Sequence, residues 1–376
     1  MNNQPLISIL IPTKNRPEFI DKLIDCYKYF ANEDRIEFIF HENISNSSHL
    51  FKDLDSKIFR HIHVPENLSM SENFTGAIKA AKGKYVLITG DDDFILPEII
   101  NVTEFMQDNN ICAAVSPVVS YLWPGVESKI GGANDNGKLF FYPFKNKPTL
   151  HNTHNGLKKI LDNGGAFFSY EIPSIYQGVV EKNLIININK EFGTCFPGFS
   201  PDLASAIAIS TKIKTFVKWS SPFVVSGASI GSGSAEGYEH THKGSLSERK
   251  YIVDQIDEWP IKVPKYFSAQ TIYSASTYIS LKTFYPKENF SINYDALYAG
   301  LLVFNFKESL KLIKGKTSYK SWPKIFLFLL KLILNRVTNL SVNILYNLIL
   351  PKLRNEEPVN TPEKAFIEIS KKYKMV

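Results

Sequence analysis

Three consecutive carboxylates are the residues of this sequence best suited to chemistry. Asp91, Asp92 and Asp93 lie in the stretch "KGKYVLITGDDDFILPE", directly after a run of apolar and β-branched residues. Like charges held this close repel one another unless water, hydrogen-bond donors or a cation compensates them. Carboxylate oxygens suit hard cations such as Mg²⁺ or Mn²⁺, which proteins commonly bind with one or two carboxylates and the phosphates of a substrate. This stretch therefore predicts a nucleoside diphosphate bridged by such an ion.

A simpler interpretation of the same residues is a solvated turn in front of a helix. Pro97 suits the first turn of that helix, and one of the aspartates would then cap it. Their position argues against this, because they end an apolar strand and Gly90 allows close approach of the backbone. In an extended turn, alternate side chains would also point Asp91 and Asp93 toward one site.

The elements that position this turn alternate along the N-terminal part of the chain. Apolar runs predict strands at 6–11, 36–40, 61–64, 85–89 and 111–119, and helical spacing predicts helices from Pro17, over 71–81 and from Pro97. Ser69 or Ser71 would cap the second helix, and Gly83 follows its end. This alternation is typical of an α/β fold, a mainly parallel sheet flanked by helices. The loops "PTKNR", "HENIS" and "GDDD" leave the carboxyl ends of strands, so we expect them to converge on one crevice.

Length and composition favour an ordinary globular protein of two or three domains. The chain has 376 residues, of which 44% are apolar and 21% are charged. Its cysteines, Cys26, Cys112 and Cys195, are scattered, so they indicate neither a disulfide framework nor a cysteine metal site, and a reducing compartment fits them best. The start "MNNQPLISILIP" lacks the basic region of a signal peptide, so we expect no secretion.

The positive charge of the chain is concentrated near its C-terminus. The formal net charge is +6, but ten basic residues against one acid between Lys307 and Arg354 give that segment +9 and leave −3 elsewhere. The segment includes "SWPKIFLFLLKLILNRVTNLSVNILYNLIL", whose longest apolar run, Ile325 to Leu330, is too short for the ~20 residues of a spanning helix. Its lysines and apolar residues lie on different sides of a helix, which predicts a helix in a membrane interface. A core or dimer-forming helix is the alternative.

The first ~115 residues resemble the family 2 glycosyltransferases of GT-A fold. The resemblance rests on "ISILIPTKNRPEFI" and "NLSMSENFTGAIKAAKGKYVLITGDDDF" and on their order. It implies an inverting transfer of a sugar from a nucleotide-sugar, usually a UDP-sugar, to an acceptor hydroxyl, with Mn²⁺ or Mg²⁺ as cofactor. It also implies the following site residues: Pro12, Thr13 and Arg16 near the nucleotide, Asp91 near the ribose and diphosphate and beside the metal, Asp92 supporting the nucleotide-sugar site, and Asp93 as the direct metal ligand.

Two further positions take a donor-site role from the resemblance. The family commonly has an Asp in the loop after the second strand, where this chain has Glu42 and Asn43 in "HENIS". Glu42 is able to accept hydrogen bonds from a base or a ribose, although from a different backbone position, so the nucleotide is left open. Asn73 in "SENF" resembles a recurrent Asn of the family, while its simpler interpretation is a polar helix residue.

An inverting displacement also needs a base that takes the proton of the acceptor hydroxyl. The best candidate is Asp202 in "FPGFSPDLASAIAIS", a region where the family has its base, although the usual "ED" pair is "PD" here. A structural explanation competes with this role, since an Asp in the first turn of a helix opened by Pro201 is favoured by the helix dipole alone. Glu171 and Glu191 are the reserve candidates.

A Gly/Ser-rich stretch after residue 225 suggests a flexible loop or a lid over the substrate. His240 and His242 in "HTH" would project to the same side of it and contact diphosphate or metal, or they would simply be solvated. The resulting domain prediction is a GT-A catalytic domain at 1–225 (nucleotide-sugar half 1–120, acceptor half 121–225), a loop or lid at 226–250, a helical region at 251–318 and a basic amphipathic tail at 319–376.

The resemblance, together with the basic tail, implies a glycosyltransferase of cell-surface polysaccharide assembly, such as O-antigen or capsule. It would be cytoplasmic and peripheral on the inner face of a bacterial plasma membrane, with a glycan or lipid-linked acceptor. We expect no nucleic-acid partner, and self-association is left open. A metal-dependent nucleotidyltransferase and a non-catalytic membrane-bound glycan-binding protein are the alternatives from other classes.

Overall fold

The computed structural model of this chain shows a mixed α/β fold. The residues that it describes are 4–126, 137–140, 147–166, 170–239, 241–304, 306–349, 359–373 and 375. The strands are β1 (Ile7–Lys14), β2 (Ile36–Asn43), β3 (Phe59–Val64), β4 (Tyr85–Ile88), β5 (Phe94–Ile95), β6 (Ala113–Val115), β7 (Val118–Leu122), β8 (Lys138–Phe140), β9 (Thr149–Asn152), β10 (Gly178–Glu181), β11 (Thr215–Lys218), β12 (Val224–Ala228), β13 (Lys243–Gly244) and β14 (Phe267–Ser268).

The α-helices lie between and after these strands. They are α1 (Pro17–Tyr27), α2 (Met70–Ala80), α3 (Glu98–Asp108), α4 (Thr153–Asp162), α5 (Lys182–Phe192), α6 (Pro201–Ser210), α7 (Gly233–Tyr238), α8 (Lys250–Val253), α9 (Ala269–Phe284), α10 (Tyr294–Phe304), α11 (Phe306–Ile313), α12 (Trp322–Ile349) and α13 (Pro362–Lys372). Sequence signals explain several helix starts. Pro17 opens α1, and Ser69 caps α2 in a reciprocal capping box with Glu72.

Eight strands form the main sheet, in the order β3-β2-β1-β4-β10-β6-β11-β9. The first four run parallel to one another, whereas β10 is antiparallel to both of its neighbours. The predicted strands at 6–11, 36–40, 61–64 and 85–89 are all present. The strand predicted at 111–119 is wrong as a single element, because Pro117 lacks the N–H that a ladder needs and divides it into β6 and β7.

The two halves of that divided strand belong to different sheets. β7 lies in a second sheet of order β5-β12-β7-β8, in which β12 is antiparallel to β5 and parallel to β7. β5 begins immediately after the three aspartates, and β4 of the main sheet ends just before them. The aspartates therefore occupy the turn where the chain leaves one sheet for the other.

Both faces of the main sheet are buried. Ile9 and Phe38 contribute to one apolar cluster with α1 and α3, while Leu10 and Ile39, the next residue in each strand, contribute to another with α2 and α6. This alternation explains why β1 and β2 read as continuous apolar runs, as central parallel strands usually do. The buried faces fix the strand register and so fix where each strand ends.

The last helix folds back onto the first. Phe366 of α13 has its ring centroid 5.2 Å from that of Tyr29 and 6.3 Å from that of Phe30, beside α1. Tyr121 of β7 donates a hydrogen bond to the carbonyl oxygen of Val359 at 2.9 Å. The expected tail at 319–376 is therefore not a single unit, because its final helix belongs to the N-terminal core.

Helix α12 presents two apolar faces. Ile325 is 1% exposed, and Leu329 and Leu332 pack with it against the cluster formed by α9 and α10. Phe326 and Leu327 point away and are 57% and 70% exposed. The packing alternative thus holds for one face only. No helix in the described part of the chain is both long and apolar enough to cross a bilayer.

Candidate active site

The three aspartates are buried. Asp91 and Asp92 are 6% exposed, and Asp93 is 1% exposed. None of them caps α3, whose N-cap residue is Pro97 and has no side-chain capping bond. The solvated capping turn is therefore not what this stretch forms.

Asp91 faces the loop that follows β1. Thr13 Oγ1 donates to Asp91 Oδ2 at 2.6 Å, and Arg16 Nη1 lies 2.5 Å from Asp91 Oδ1. Between them Asn15 has a φ of +56°, the left-handed conformation that Asn adopts more readily than most residues, and it turns the chain so that both side chains reach one carboxylate. Pro12 precedes them in β1, in register with His41 of β2. The loops after β1 and β4 converge as expected.

Asp92 faces the segment that follows β12. The backbone N–H of Ser229 donates to Asp92 Oδ2 at 3.1 Å and its hydroxyl at 2.6 Å. The same hydroxyl accepts a hydrogen bond from Arg16 Nη2, so Arg16 connects the first two aspartates. Trp123 Nε1 donates to the Asp92 carbonyl oxygen at 2.8 Å. Among the described residues, no hydrogen-bond donor reaches Asp92 Oδ1.

Asp93 is held by five donors. The Gly227 N–H donates to Oδ1 at 2.7 Å. Oδ2 accepts from four groups, which are the Gly90 N–H at 2.9 Å, Gln177 Nε2 at 2.9 Å, the Tyr176 hydroxyl at 3.0 Å and Thr89 Oγ1 at 3.3 Å. Hydrogen bonds of this number oppose the cost of burying the charged carboxylate, although they do not outweigh it. Asp93 as the direct metal ligand stays a prediction, and a metal would have to share oxygens that the protein already uses.

The site carries more negative charge than the protein around it compensates. Burial raises the pKa of Asp91 to about 7, although the Arg16 guanidinium lowers it. Burial and then the charge of Asp92 raise the pKa of Asp93, although its hydrogen bonds oppose this. Within the described chain, Arg16 is the one cationic side chain that bonds to any of the three carboxylates, and it bonds to Asp91 alone. This excess favours a bound cation.

The segment at 226–250 is more regular than expected. It contains the end of β12, helix α7 and β13, so it is not simply a flexible loop. Gly227 is small for a steric reason, because a Cβ there would lie 1.8 Å from the Asp92 carbonyl oxygen. Part of the Gly/Ser content therefore lets β12 pack against the aspartates, and whether α7 acts as a lid stays open.

Asp202 lies in the first turn of α6, where Ser200 Oγ donates to its Oδ1. Burial raises its pKa, which makes the carboxylate a better proton acceptor. Tyr176 connects it to the aspartates. Burial, followed by the charges of Asp93, Asp92 and Asp202, raises the pKa of this phenol. The structure therefore places Asp202 and the aspartates near one tyrosine, which bonds to Asp93 directly and to the carbonyl oxygen of Asp202 through the Ser174 hydroxyl.

The two reserve bases lie in ion pairs elsewhere. Glu171 Oε2 is 2.7 Å from Lys159 Nζ and 2.8 Å from Lys218 Nζ. Burial would raise the pKa of Glu171, but hydrogen bonds from these lysines outweigh it and lower the pKa. Glu191 pairs with Lys212 at an exposed position. Asp202 is the better candidate of the three.

Asn73 supports the loop that carries Thr13. Its Nδ2 donates to the Thr13 carbonyl oxygen at 3.3 Å, and its Oδ1 lies 2.5 Å from His41 Nδ1. Burial lowers the pKa of His41, so a neutral ring that donates from Nδ1 fits this contact. Asn73 thus lies beside the site and not among the aspartates.

Glu42 is fully engaged by its own loop. It accepts hydrogen bonds from the Ser45 hydroxyl, from the Ser47 N–H and hydroxyl and from His61 Nε2, at 2.7 to 2.9 Å. Burial would raise the pKa of Glu42, but these hydrogen bonds outweigh it and lower the pKa. The carboxylate is 0% exposed, so it holds the loop in shape and would reach a base or ribose only after rearrangement.

Of the two predicted lid histidines, His242 is described and His240 lies outside the described residues. His242 stacks on Phe267, with centroids 4.5 Å apart and planes at 22°. Burial lowers its pKa. Phe267 also contacts Arg249, whose guanidinium lies 4.2 Å from the Phe267 ring. Arg249 in turn pairs with Glu236 of α7 at 2.8 Å, so His242, Phe267, Arg249 and Glu236 form one cluster. The cluster anchors α7 to the helical region.

Several residues that hold the aspartates escaped the sequence reasoning, among them Tyr176, Gln177, Gly227 and Ser229. Gln177 has a φ of +58° and donates to Ser226 Oγ at 3.1 Å as well as to Asp93, so it holds β12 against the turn. An unusual backbone conformation of this kind is common at functional sites, but no local pattern predicts it. The Gly/Ser composition of 226–232 was the one available signal.

No cluster of three His, Cys, Asp or Glu side chains in the described residues is arranged to hold a metal by itself. Asp92 Oδ1 nevertheless accepts no hydrogen bond from the residues that the structure describes, and it lies between two other buried carboxylates. This arrangement fits an ion that arrives with a ligand supplying the remaining oxygens.

Comparison with known proteins assigns the family. Residues 8–173 match the family model described as Glycosyl transferase family 2. The matched segment, which is less than half of the chain, belongs to that family and indicates that the protein is a glycosyltransferase. The mixed sheet with helices on both faces is the GT-A arrangement that the resemblance implied. No curated protein sequence matches the chain.

Solved structures with a similar fold include two of S. aureus TarS. TarS 1-349 in complex with UDP-GlcNAc is 14% identical, with a TM-score of 0.47 over 86% of this chain and 79% of that one. A longer TarS chain is 14% identical, with a TM-score of 0.42, and the match spans 59% of this chain but only 36% of that one. The mannosyltransferase PcManGT from Pyrobaculum calidifontis, in complex with GDP-Man and Mn²⁺, is 14% identical, with a TM-score of 0.40 over 87% and 85%. Likeness at this level says nothing about the donor or acceptor of this chain.

Proposed function

We propose that this glycosyltransferase transfers a sugar, with inversion, from a UDP-sugar to a hydroxyl of a glycan or lipid-linked acceptor in cell-surface polysaccharide assembly. The observation that carries the proposal is the group of residues at the carboxyl end of β4, where the donor crevice is expected. There, three buried carboxylates, of which Asp91 bonds to Thr13 and Arg16, lie near the same tyrosine, Tyr176, as Asp202, a carboxylate whose pKa is raised. The two groups have different environments, as a donor site and a base require.

The donor side is the crevice wall formed by the loops after β1 and β4. Arg16 bonds to Asp91 and to Ser229, so a diphosphate in the crevice would meet a guanidinium already held by two partners. Asp91 accepts from Thr13 and Arg16, and a ribose hydroxyl would add a further donor to it. Asn73 keeps the Thr13 backbone in place.

Carboxylates of this wall would hold Mn²⁺ or Mg²⁺ together with the diphosphate of the donor. Asp92 Oδ1 is the oxygen of the three carboxylates to which the protein offers no donor among its described residues, and Asp91 and Asp93 are the alternatives from the sequence. A bound divalent cation would offset the charge that develops on the departing diphosphate. The hydrogen bonds of Asp93 would meanwhile hold the turn in place.

The acceptor side contains the base. Asp202 would take the proton of the attacking hydroxyl, and its raised pKa makes it a stronger proton acceptor than an ordinary Asp. Ser200 orients the carboxylate by donating to Oδ1. Attack from the side opposite the diphosphate gives inversion at the anomeric carbon. The reaction would occur at the cytoplasmic face of the membrane.

A donor screen tests this proposal. The full chain is incubated with UDP-, GDP- and dTDP-sugars, Mn²⁺ and a polyprenyl-diphosphate-linked acceptor, and the release of nucleoside diphosphate is measured. We expect UDP release that needs both the metal and the acceptor. Pyrophosphate release from a nucleoside triphosphate would instead indicate a nucleotidyltransferase, and glycan binding without any release would indicate a binding protein.

A further inference from the structure

The outward face of α12 is an apolar surface that the described chain leaves uncovered. We call it the outer face. Its apolar residues are 39% to 70% exposed, and they are Trp322, Phe326, Leu327, Leu330, Ile333 and Leu334. The opposite face, with Ile325 and Leu329, is packed against α9 and α10. A helix needs one apolar stripe to join a fold, so the second stripe requires another explanation.

The outer face continues beyond α12 at its N-terminal end. Tyr319 and Ile261 are 80% and 90% exposed. Lys316 Nζ donates to the Ile261 carbonyl oxygen at 2.7 Å, which holds the loop of Ile261 beside the residues that lead into α12. Aromatic residues such as Tyr319 and Trp322 favour the boundary between a bilayer and water, because one end of the ring is apolar and the other polar.

The charged residues around this apolar surface are almost all basic. Residues 306–335 contain seven lysines and a single acid, Glu308. The six exposed lysines are Lys307, Lys311, Lys314, Lys320, Lys324 and Lys331. On a helix of 100° per residue, Lys324 and Lys331 lie at the edge of the outer face, where their ammonium groups would reach lipid phosphates while the apolar side chains enter the bilayer.

We propose that the outer face binds the surface of an anionic bilayer, with α12 lying in the plane of the interface. A second copy of the chain fits the charge less well. A two-fold interface would bring the same lysine-rich patch from each copy together, with little acid to compensate it. Anionic lipid supplies the missing negative charge, and each lysine near such a surface strengthens binding about fivefold. The proposal does not rest on the proposed reaction, since the outer face lies outside the crevice.

Vesicle sedimentation tests this surface. The full chain is mixed with vesicles of phosphatidylcholine alone or of phosphatidylcholine with phosphatidylglycerol, and the bound fraction is measured. We expect binding to the anionic vesicles only. The variant Lys320→Gln/Lys324→Gln/Lys331→Gln should weaken it roughly a hundredfold, and Leu327→Ser/Leu334→Ser about tenfold or more. These side chains are exposed, so neither variant should unfold the protein.

Matched variants elsewhere on the surface are the controls. Lys52→Gln/Lys57→Gln/Lys158→Gln removes the same charge from exposed positions, and Leu150→Ser/Ile367→Ser removes apolar side chains that are 61% and 40% exposed. Both control variants should leave the fraction bound to anionic vesicles unchanged, apart from the small effect of a lower net charge. The proposal is overturned if wild-type protein does not sediment with anionic vesicles, or if outer-face and control variants bind equally. It is also overturned if ultracentrifugation shows a dimer that Leu327→Ser/Leu334→Ser dissociates.

Discussion

Replacing Asp93 should lower the stability of the fold more than it weakens metal binding. Replacing Asp92 should weaken metal binding more than it lowers stability. Asp93 is 1% exposed and accepts hydrogen bonds from five groups, while Asp92 has one oxygen bonded to Ser229 and one without a donor among the described residues. The variants Asp93→Ala and Asp92→Ala therefore separate a carboxylate that holds the turn from one that is available to a cation.

The magnitude follows from the donors that each substitution strands. Asp93→Ala leaves the N–H groups of Gly90 and Gly227, the Gln177 amide and the Tyr176 hydroxyl without their acceptor. At about 1.5 kcal/mol for each buried donor, this costs about 6 kcal/mol. Removing a buried charge returns about 2 kcal/mol, so the free energy of unfolding should fall by about 4 kcal/mol.

Asp92→Ala strands only the Ser229 donors, one of which keeps Ser232 Oγ as an acceptor at 3.2 Å. Its loss should be about 1 kcal/mol. Urea denaturation measures both values, and Mn²⁺-dependent UDP binding by calorimetry measures the metal site. We expect Asp92→Ala to fold and to lose the effect of Mn²⁺. If Asp93→Ala is as stable as wild type, or if Asp92→Ala binds UDP with normal Mn²⁺ dependence, this reasoning is refuted.

Three other predictions concern pH, packing at the crevice and the last helix. Burial raises the pKa of Asp91 to about 7, whereas the pKa of an unfolded Asp is near 3.9, so between these values the folded state binds more protons than the unfolded state. Stability should therefore fall as the pH rises. Between about pH 5 and pH 7 the wild type should lose about 2 kcal/mol more unfolding free energy than Asp91→Asn, as measured by urea denaturation. Gly227→Ala should abolish donor binding in calorimetry, because its Cβ would lie 1.8 Å from a carbonyl oxygen of the aspartate turn, whereas Gly237→Ala meets nothing within 4 Å and should bind normally. Phe366→Ala should cost about 3 kcal/mol of unfolding free energy and Ile367→Ala, 40% exposed, less than ~0.5, and equal losses would contradict the docking of α13.

Local signals predicted much of the N-terminal half. The apolar runs gave the strands because central parallel strands are buried on both faces, and Ser69 and Pro17 marked helix starts through capping and a fixed φ. The position of the aspartates after β4 then followed from the topology. Pro117 was also visible, and it should have divided the strand that we expected at 111–119.

The residues that hold the aspartates in place were not predictable from such local signals. Ser229 bonds to Asp92 across 137 positions of sequence and Gln177 bonds to Asp93 across 84, and such pairings depend on how two sheets pack, which no local pattern records. The docking of α13 onto α1 is equally long-range. The helical spacing of lysines and apolar residues predicted an amphipathic α12. Only the structure showed which apolar residues of α12 pack against α9 and α10 and which stay exposed.

The most direct test of the account is the rate of sugar transfer by Asp202→Asn. UDP release is measured with donor, Mn²⁺ and acceptor at saturation, and donor affinity is measured separately by calorimetry. Because Asp202 is proposed to act only on the acceptor proton, we expect kcat to fall about 10²- to 10⁴-fold while the Kd for the donor stays nearly constant. Transfer by Asp202→Asn at the wild-type rate would contradict the assignment of the base, and with it the account of how the two sides of the crevice act together.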